Sequence, residues 1–366
     1  MGSYIHNLST WPDFTWDRDA LALRLSEVRY QQGLLLGRMS AIGFDSRTEA
    51  HLGTVTSDVV SSSAIEGERL DPNEVRSSVA RHLGLDVGGL RATGRQVDGV
   101  VEMMLDASQN SSSPLTSERL FGWHAALFPI GRSGMHPITT AGWRVVAGDP
   151  MRVVSGAIGK QKIHFEAPDA ARVPKEMEQF LSWFEDGRGD PVLRAGVAHL
   201  WFLTVHPFAD GNGRIARAIT DLVLARSDGS RERFYSMSAQ IAAERKDYYL
   251  QIESAQRGVM NITSWLEWFL GCLGRALESA EETLSAVWKR DAFWRRADDF
   301  PLNERQRKVL YRMLHDWQGF LTTRKYVKIT GCSSDTALRD INALVELGLL
   351  AKNEGGGRST SYQIAW

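Results

Sequence analysis

"HPFADGNGRIAR", residues 206–217, decides how this chain is read. Pro207 disfavours helix just before it, so an apolar helix expected over 191–205 ends at His206. The next helix has to begin near Asn212, and its first N–H groups lack partners inside the helix. Gly211 and Gly213 let that backbone approach a ligand closely, and such a helix start is an anion site. Arg214 and Arg217, one turn apart on roughly one face, add two forked cationic donors suited to phosphate oxygens. Asp210 supplies the single carboxylate that Mg2+ takes alongside phosphate oxygens and water. His206 is of the right type to accept a proton from an attacking alcohol. Phe208 is expected to point away from these groups and anchor the loop in the core. Together they provide positioning, charge stabilisation and a base, the requirements of phosphoryl-type transfer. A polar helix-entry loop would account for any one of these residues, but not for all twelve positions at once.

Composition sets the outer bounds. The 366 residues allow two or three domains with a sizeable core. Apolar residues make up 43% and charged residues 24%, and the net charge of −1 excludes a polyanion binder by bulk charge. Cys272 and Cys332 are too few for a disulfide scaffold or a Cys-rich zinc site. No apolar run is long enough for a membrane span, and the start of the chain does not look like a signal peptide, so a reducing cytoplasm is the expected setting.

Along the chain, apolar residues recur mostly at helical spacing. Helices are expected over 21–36, 54–66, 97–107, 118–128, 173–185, 191–205 and 213–226, with Pro191 in a first turn and Gly67 stopping the second. The stretch "RVVSGAIGKQKIHFEAP", 152–168, breaks the pattern with β-branched residues around Gly156 and Gly159, a hairpin signal. A long helix is expected over 264–297, and Asp298-Asp299-Phe300-Pro301 looks like a linker. From Leu302 onward, three short helices, the third capped by Ser333, precede a hairpin tipped by Gly355 to Gly357. That order resembles a winged-helix domain.

The stretch 206–217 resembles the signature of Fic proteins, HxFx(D/E)GNGRxxR, with every position filled. The similarity extends over about 4–297, since the Trp-rich opening "TWPDFTWD" resembles the N-terminal domain of one Fic subgroup. The resemblance implies a mainly α fold: a Fic-type helical bundle with a β-hairpin flap, followed by a C-terminal winged helix-turn-helix domain. The expected domains are 1–100, carrying an inhibitory helix at 54–67, then a catalytic core over 101–297, then 302–366. The implied activity is transfer of AMP from ATP to a Tyr, Ser or Thr hydroxyl of a target protein, with pyrophosphate released and with auto-AMPylation. His206 would be the base, Asp210 the Mg2+ ligand, and Gly211, Asn212 and Gly213 the anion cradle. Arg214 would hold the inner phosphates and Arg217 the γ-phosphate. Tyr249, in "DYYLQIESAQ", is the better candidate beside adenine, because Gln256 stands where some family members carry Asn.

"SSAIEG", 62–67, resembles the family's inhibitory motif, (S/T)xxxE(G/N). Ser62 and Glu66 lie four apart on one helix face. The resemblance pairs Glu66 with Arg217, which would deny the γ-phosphate its guanidinium. The hairpin 152–168 corresponds to the family's flap and would hold a target segment by backbone pairing. In the C-terminal unit, residues 333–358 are open to DNA, with Ser334, Thr336, Arg339, Lys352 and Arg358 able to face it, or to protein. Asp335, Asp340 and Glu346 count against DNA. Homodimerisation is left open by the resemblance. Two other functions remain in view: another phosphoryl-type transfer or AMP removal on the same scaffold, and an ATP-sensing winged-helix regulator.

Overall fold

In the computed structural model of the chain, residues 4–85, 92–145, 150–155, 162–315, 317, 319–353 and 360–366 are described. They fall into two compact units, Met1–Ala41 with Arg47–Glu281, and Ile42–Ser46 with Glu282–Trp366. The helices in chain order are α1 Arg18–Ser40, α2 Phe44–Ile65, α3 Pro72–His82, α4 Arg95–Gln109, α5 Ser117–Leu127, α6 Val173–Asp186 and α7 Pro191–Val205. They continue as α8 Asn212–Asp228, α9 Met237–Ala243, α10 Arg245–Gln256, α11 Thr263–Asp298, α12 Glu304–His315, α13 Thr323–Thr330 and α14 Ser334–Glu346. Among the described residues the strands form three two-stranded pairs: β1 Arg132–Ser133 with β2 His136–Pro137, β3 Arg152–Ser155 with β4 Lys162–Glu166, and β5 Leu350–Lys352 with β6 Tyr362–Ile364. The mainly α reading therefore holds.

Helix α7 is the axis of the first unit. Asp190 caps it, accepting hydrogen bonds from the backbone N–H groups of Val192 (2.8 Å) and Leu193 (3.3 Å), and Pro191 fills the first turn. Its apolar residues recur on every side, which marks a helix surrounded by protein. Val192, Ala195, Val197, Leu200, Phe202 and Val205 are all buried. Each large side chain buried here contributes roughly 1.5–3 kcal/mol. Helix α8 packs along α7, with α4 and α5 against α8. The backbone of α7 is approached closely at Gly196, whose carbonyl accepts a hydrogen bond from Trp265 Nε1 at 2.8 Å. A Cβ there would meet Leu266 at 2.8 Å and Phe269 at 3.1 Å.

Helix α2, expected as an inhibitory helix, differs from expectation at both ends. It begins at Phe44, ten residues before Thr54, and closes at Ile65, so that Glu66 lies in the turn beyond it. Gly67 adopts φ +85°, and the N–H of Glu68 returns to the Ser63 carbonyl at 3.0 Å. This is a Schellman-type closure in which glycine takes the left-handed position. The closure, rather than helical periodicity, places the side chains on either side of Gly67.

The second unit carries the winged-helix arrangement. Thr322 and Ser333 cap α13 and α14 through their hydroxyls, and Gly331 ends α13 with φ +71°. Leu350↔Ile364, Ala351↔Gln363 and Lys352↔Tyr362 pair antiparallel, and Leu321 exchanges two backbone hydrogen bonds with Tyr362. Val309, Leu310, Tyr326, Ile341 and Leu344 lie in its core. The wing tip, including Gly355 to Arg358, lies outside the described residues, as does the flap tip with Gly156 and Gly159.

Asp340 corrects one expectation. It is buried, not facing solvent on α14. It accepts hydrogen bonds from Arg305 Nε (2.8 Å), Tyr326 Oη (3.0 Å) and Asn303 Nδ2 (3.3 Å). Burial alone would raise its carboxyl, but these donors hold it below the usual range. We expect Asp340→Ala to destabilise this unit by about 2–3 kcal/mol, measured by chemical denaturation, because three donors lose their acceptor.

Candidate active site

The turn between α7 and α8 is built by its own sequence. His206 ends α7 in the left-handed region, φ +51° and ψ +58°, with its N–H on the Phe202 carbonyl at 2.9 Å. Phe208 is fully buried, stacked on His124 with ring centroids 4.3 Å apart. Asn212 closes the turn: its Oδ1 accepts from the Phe208 N–H (2.9 Å), and its Nδ2 donates to the Phe208 carbonyl (2.8 Å). The Asn212 side chain is therefore a clamp of the turn, and only its backbone remains to contribute to an anion cradle. Gly211 takes φ +79°, and a Cβ there would lie 2.9 Å from the Phe128 ring. Glycine is thus required twice over, by conformation and by space.

His206 is half-buried. Its Nδ1 lies 3.4 Å from the Leu203 carbonyl, a group that can only accept, so Nδ1 carries the hydrogen and Nε2 the lone pair. Burial, and then the Arg144 guanidinium, push its pKa down to about 4, so the imidazole is neutral at pH 7. Asp210 stands beside it on the turn. Its Oδ1 accepts from the Gly211 N–H at 2.6 Å and its Oδ2 from the hydroxyl of Ser133 on β1.

The two arginines are engaged by acidic side chains from the turn after α2. Arg217, buried, donates from Nε to Ser62 Oγ (2.9 Å), and from Nη2 to the Ser62 carbonyl (2.8 Å) and Glu66 Oε1 (2.9 Å). Arg214, also buried, donates from Nη1 to Glu68 Oε2 at 2.8 Å and lies over the Phe128 ring. Glu66 Oε1 comes within 2.1 Å of where a Cβ on Gly213 would stand. The structure thus brings Ser62, Glu66, Gly213, Arg214 and Arg217 together, and adds Glu68. Burial opposes the charge of Arg217, but the Glu66 carboxylate outweighs it and raises its pKa.

Two further atoms bear on a ligand. Arg214 Nε and Arg217 Nη1 are buried and have no hydrogen-bond partner among the described residues. Unpaired buried N–H groups are costly, and here they belong to the cations expected to hold a polyphosphate. The donor set fits such an anion: two guanidinium groups with open N–H groups, and two carboxylates standing in for anionic oxygens. No three His, Cys, Asp or Glu side chains among the described residues converge as a metal centre.

Tyr249, on α10, is partly exposed and donates to the Ile65 carbonyl at 3.2 Å, beside the turn that carries Glu66. Its neighbour Tyr248 is buried, with Oη 2.8 Å from His199 Nε2. Gln256 is also buried, donating to Thr204 Oγ1 at 3.3 Å, so it is engaged with α7. The β3–β4 hairpin leaves Val154 and Ile163 about 40% exposed, while Arg257 donates to the Ile163 and His164 carbonyls. Glu68, Ser133 and Arg144 were not singled out from the sequence. Glu68 was within reach, being a second acid two positions after Glu66. Ser133 and Arg144 carry no local pattern, because their partners are 77 and 62 residues away.

Three segments of the chain match known families. Residues 114–224 match the model of the Fic/DOC family, residues 305–363 that of a DeoR-like helix-turn-helix domain, and residues 4–85 that of a domain of unknown function (DUF4172). Protein adenylyltransferase fic-1 of Caenorhabditis elegans is 33% identical over 90 residues, 23% of this chain and 18% of that protein. Protein adenylyltransferase Fic of Nematostella vectensis is 26% identical over 115 residues, 31% of this chain and 25% of that protein. The matched stretch thus spans a quarter or less of these relatives. A Fic family protein from Desulfovibrio desulfuricans G20 superposes with a TM-score of 0.60 at 22% identity, covering 96% of this chain and 98% of that one. A Fic domain containing signaling protein from Bacteroides thetaiotaomicron gives 0.50 at 18% identity, covering 74% and 97%. Both share the fold.

Proposed function

We propose that this chain, whose residues 114–224 form a Fic domain, is an autoinhibited protein adenylyltransferase. The observation that carries the reading is the pair of buried arginines, Arg214 and Arg217, held by carboxylates while each keeps an open N–H group. ATP would replace those carboxylates, with inner phosphates on Arg214, the γ-phosphate on Arg217 and the backbone of Gly211 to Gly213 along the chain of oxygens. Tyr249, hydrogen-bonded beside the turn that carries Glu66, would meet the base. The target hydroxyl then attacks the α-phosphorus. An O–P bond forms, the bond to pyrophosphate breaks, and the hydroxyl proton passes to His206 Nε2.

Asp210 would supply the one protein carboxylate that a nucleotide-borne Mg2+ needs, and the ion would neutralise charge on the phosphate oxygens. Ser133 orients that carboxylate through Oδ2. The target segment would pair along the hairpin 152–168. The direct test is incubation with labelled ATP followed by mass spectrometry of the protein and of a lysate. Gain of an AMP moiety supports the reading. Gain of phosphate, or loss of AMP from a modified target, would replace it with the corresponding rival.

The depressed His206 pKa has a consequence for pH dependence. The base works as neutral imidazole, so activity is lost only as pH falls through its folded pKa, about 4. The acid limb of the transfer rate is therefore expected below pH 5, instead of near 6.5 as for an ordinary histidine. A limb centred near 6.5 would show that the base is a less enclosed group.

A second reading rests on the DeoR-like domain at 305–363. The outward face of α14 carries Ser334, Arg339 and Asn342, and Asp340 is turned inward, which removes one charge that opposed DNA. A gel-shift assay with and without ATP distinguishes DNA binding from protein contact and from nucleotide sensing.

A further inference from the structure

Arg144 lies between β2 and β3, away from residues 206–217 in sequence, yet the residue is buried and its guanidinium is directed at that turn. Nε donates to the His206 carbonyl at 2.8 Å. Nη2 donates to the Pro168 carbonyl at 2.5 Å and reaches the Val205 carbonyl at 3.5 Å. Its own backbone N–H donates to the Pro207 carbonyl at 2.8 Å. Preceding Trp143 packs on Phe208, with centroids 5.2 Å apart. Burial lowers the Arg144 pKa, and Asp169 partly offsets that, but the group remains a cation. Keeping a buried cation among carbonyl oxygens is costly unless every donor is used.

The carbonyls it serves explain its place. Val205 and His206 end α7, where the last carbonyls have no helical partner and the helix end bears partial negative charge. His206 is not glycine, yet it sits in the left-handed region, which costs about 1–2 kcal/mol. The Asn212 clamp holds the turn from within, and the Arg144 fork adds a contact from outside it, directly on the His206 carbonyl. The same fork reaches Pro168, at the end of the hairpin 152–168.

Resting on the adenylyltransferase reading, we propose that Arg144 is a positioning residue for His206, fixing the left-handed turn that presents the imidazole and tying that turn to the base of the hairpin. Arg144, Asp210, Glu66 and the Leu203 carbonyl are the groups acting on the imidazole, and Arg144 is the cation among them. Its removal takes away one influence that keeps His206 unprotonated.

The test is NMR titration of the histidine side chains in the full chain, with His206→Gln used to identify the resonance. Arg144→Lys keeps the charge with one donor head, and Arg144→Gln keeps donors without charge. In Arg144→Gln the His206 midpoint is expected to rise by about one pH unit. AMP transfer at pH 7 should fall about tenfold or more through kcat, with KM for ATP little changed. In Arg144→Lys the midpoint stays low and part of the rate returns. A purely structural role would lower thermal stability in both variants without moving the midpoint. An unmoved midpoint in folded Arg144→Gln overturns the proposal, as does wild-type transfer by both variants. The titration needs no ATP, so absence of AMP transfer in the wild type would count against the adenylyltransferase reading alone.

Discussion

His206→Ala is expected to lower AMP transfer at pH 7.5 by about 100- to 10,000-fold, the range that a positioned general base contributes. ATP binding should change by no more than about threefold, because the phosphate donors lie on α8 and its entry turn, not on the imidazole. The split follows from the geometry. Nδ1 faces the Leu203 carbonyl, so Nε2 is the nitrogen with a free lone pair, and the neutral form is held by burial and Arg144. Single-turnover transfer measured alongside calorimetric titration with a non-hydrolysable ATP analogue separates the two quantities. A variant that loses both binding and transfer would make His206 part of the turn's framework instead. A variant that loses neither would remove the base from the mechanism.

Opening the nucleotide slot is the second large effect. Glu66→Gly removes the carboxylate on Arg217 and leaves its Ser62 bonds, and Glu68→Gln removes the negative charge on Arg214. A hydrogen bond to a charged group contributes about 1.5–3 kcal/mol, and each 1.4 kcal/mol is tenfold in affinity. Solvent around Glu66 and Glu68, whose side chains are 32% and 25% exposed, brings the expectation to the low end. We expect about tenfold tighter binding of the ATP analogue for each single variant and up to a hundredfold for the double, with self-labelling by ATP rising in the same order. Equal affinity in all four proteins would show that neither carboxylate competes with phosphate. A gain for Glu66→Gly and none for Glu68→Gln would reduce the plug to one residue.

Much of this arrangement was legible in the sequence, and the reasons differ by element. Helix α7 announced itself through Pro191 at one end and Pro207 at the other, and its bounds are as expected. The turn 206–217 was readable because glycine, asparagine and arginine each have few physical reasons to stand at such spacing. The Glu66–Arg217 contact was named from the resemblance and is present at 2.9 Å, while the Ser62 hydroxyl on the same guanidinium was not foreseen. What escaped was either long-range or ambiguous in type. Arg144 looks like any surface arginine until Val205, His206 and Pro168 are brought around it. Asn212 was assigned to the anion cradle, and the structural task of its side chain went unseen: a short amide at a helix start bonds readily to the backbone that precedes it. Asp340 was counted as surface charge because periodicity alone gives no sign of the Arg305 and Tyr326 donors waiting for it.

On the proposed adenylyltransferase reading, the closure at Gly67 bears on how the nucleotide site would be opened. Both stoppers hang from the few residues beyond the last turn of α2, one on each side of a glycine, while Ser62 stays rooted in the buried rod. Lifting them asks for rotation about a handful of main-chain bonds and leaves the rod's own ladder of hydrogen bonds whole. A trigger working on this latch would have to undo two ion pairs whose arginines are buried and whose carboxylates are partly exposed, and ATP phosphates could replace those carboxylates, so no packed helix has to melt.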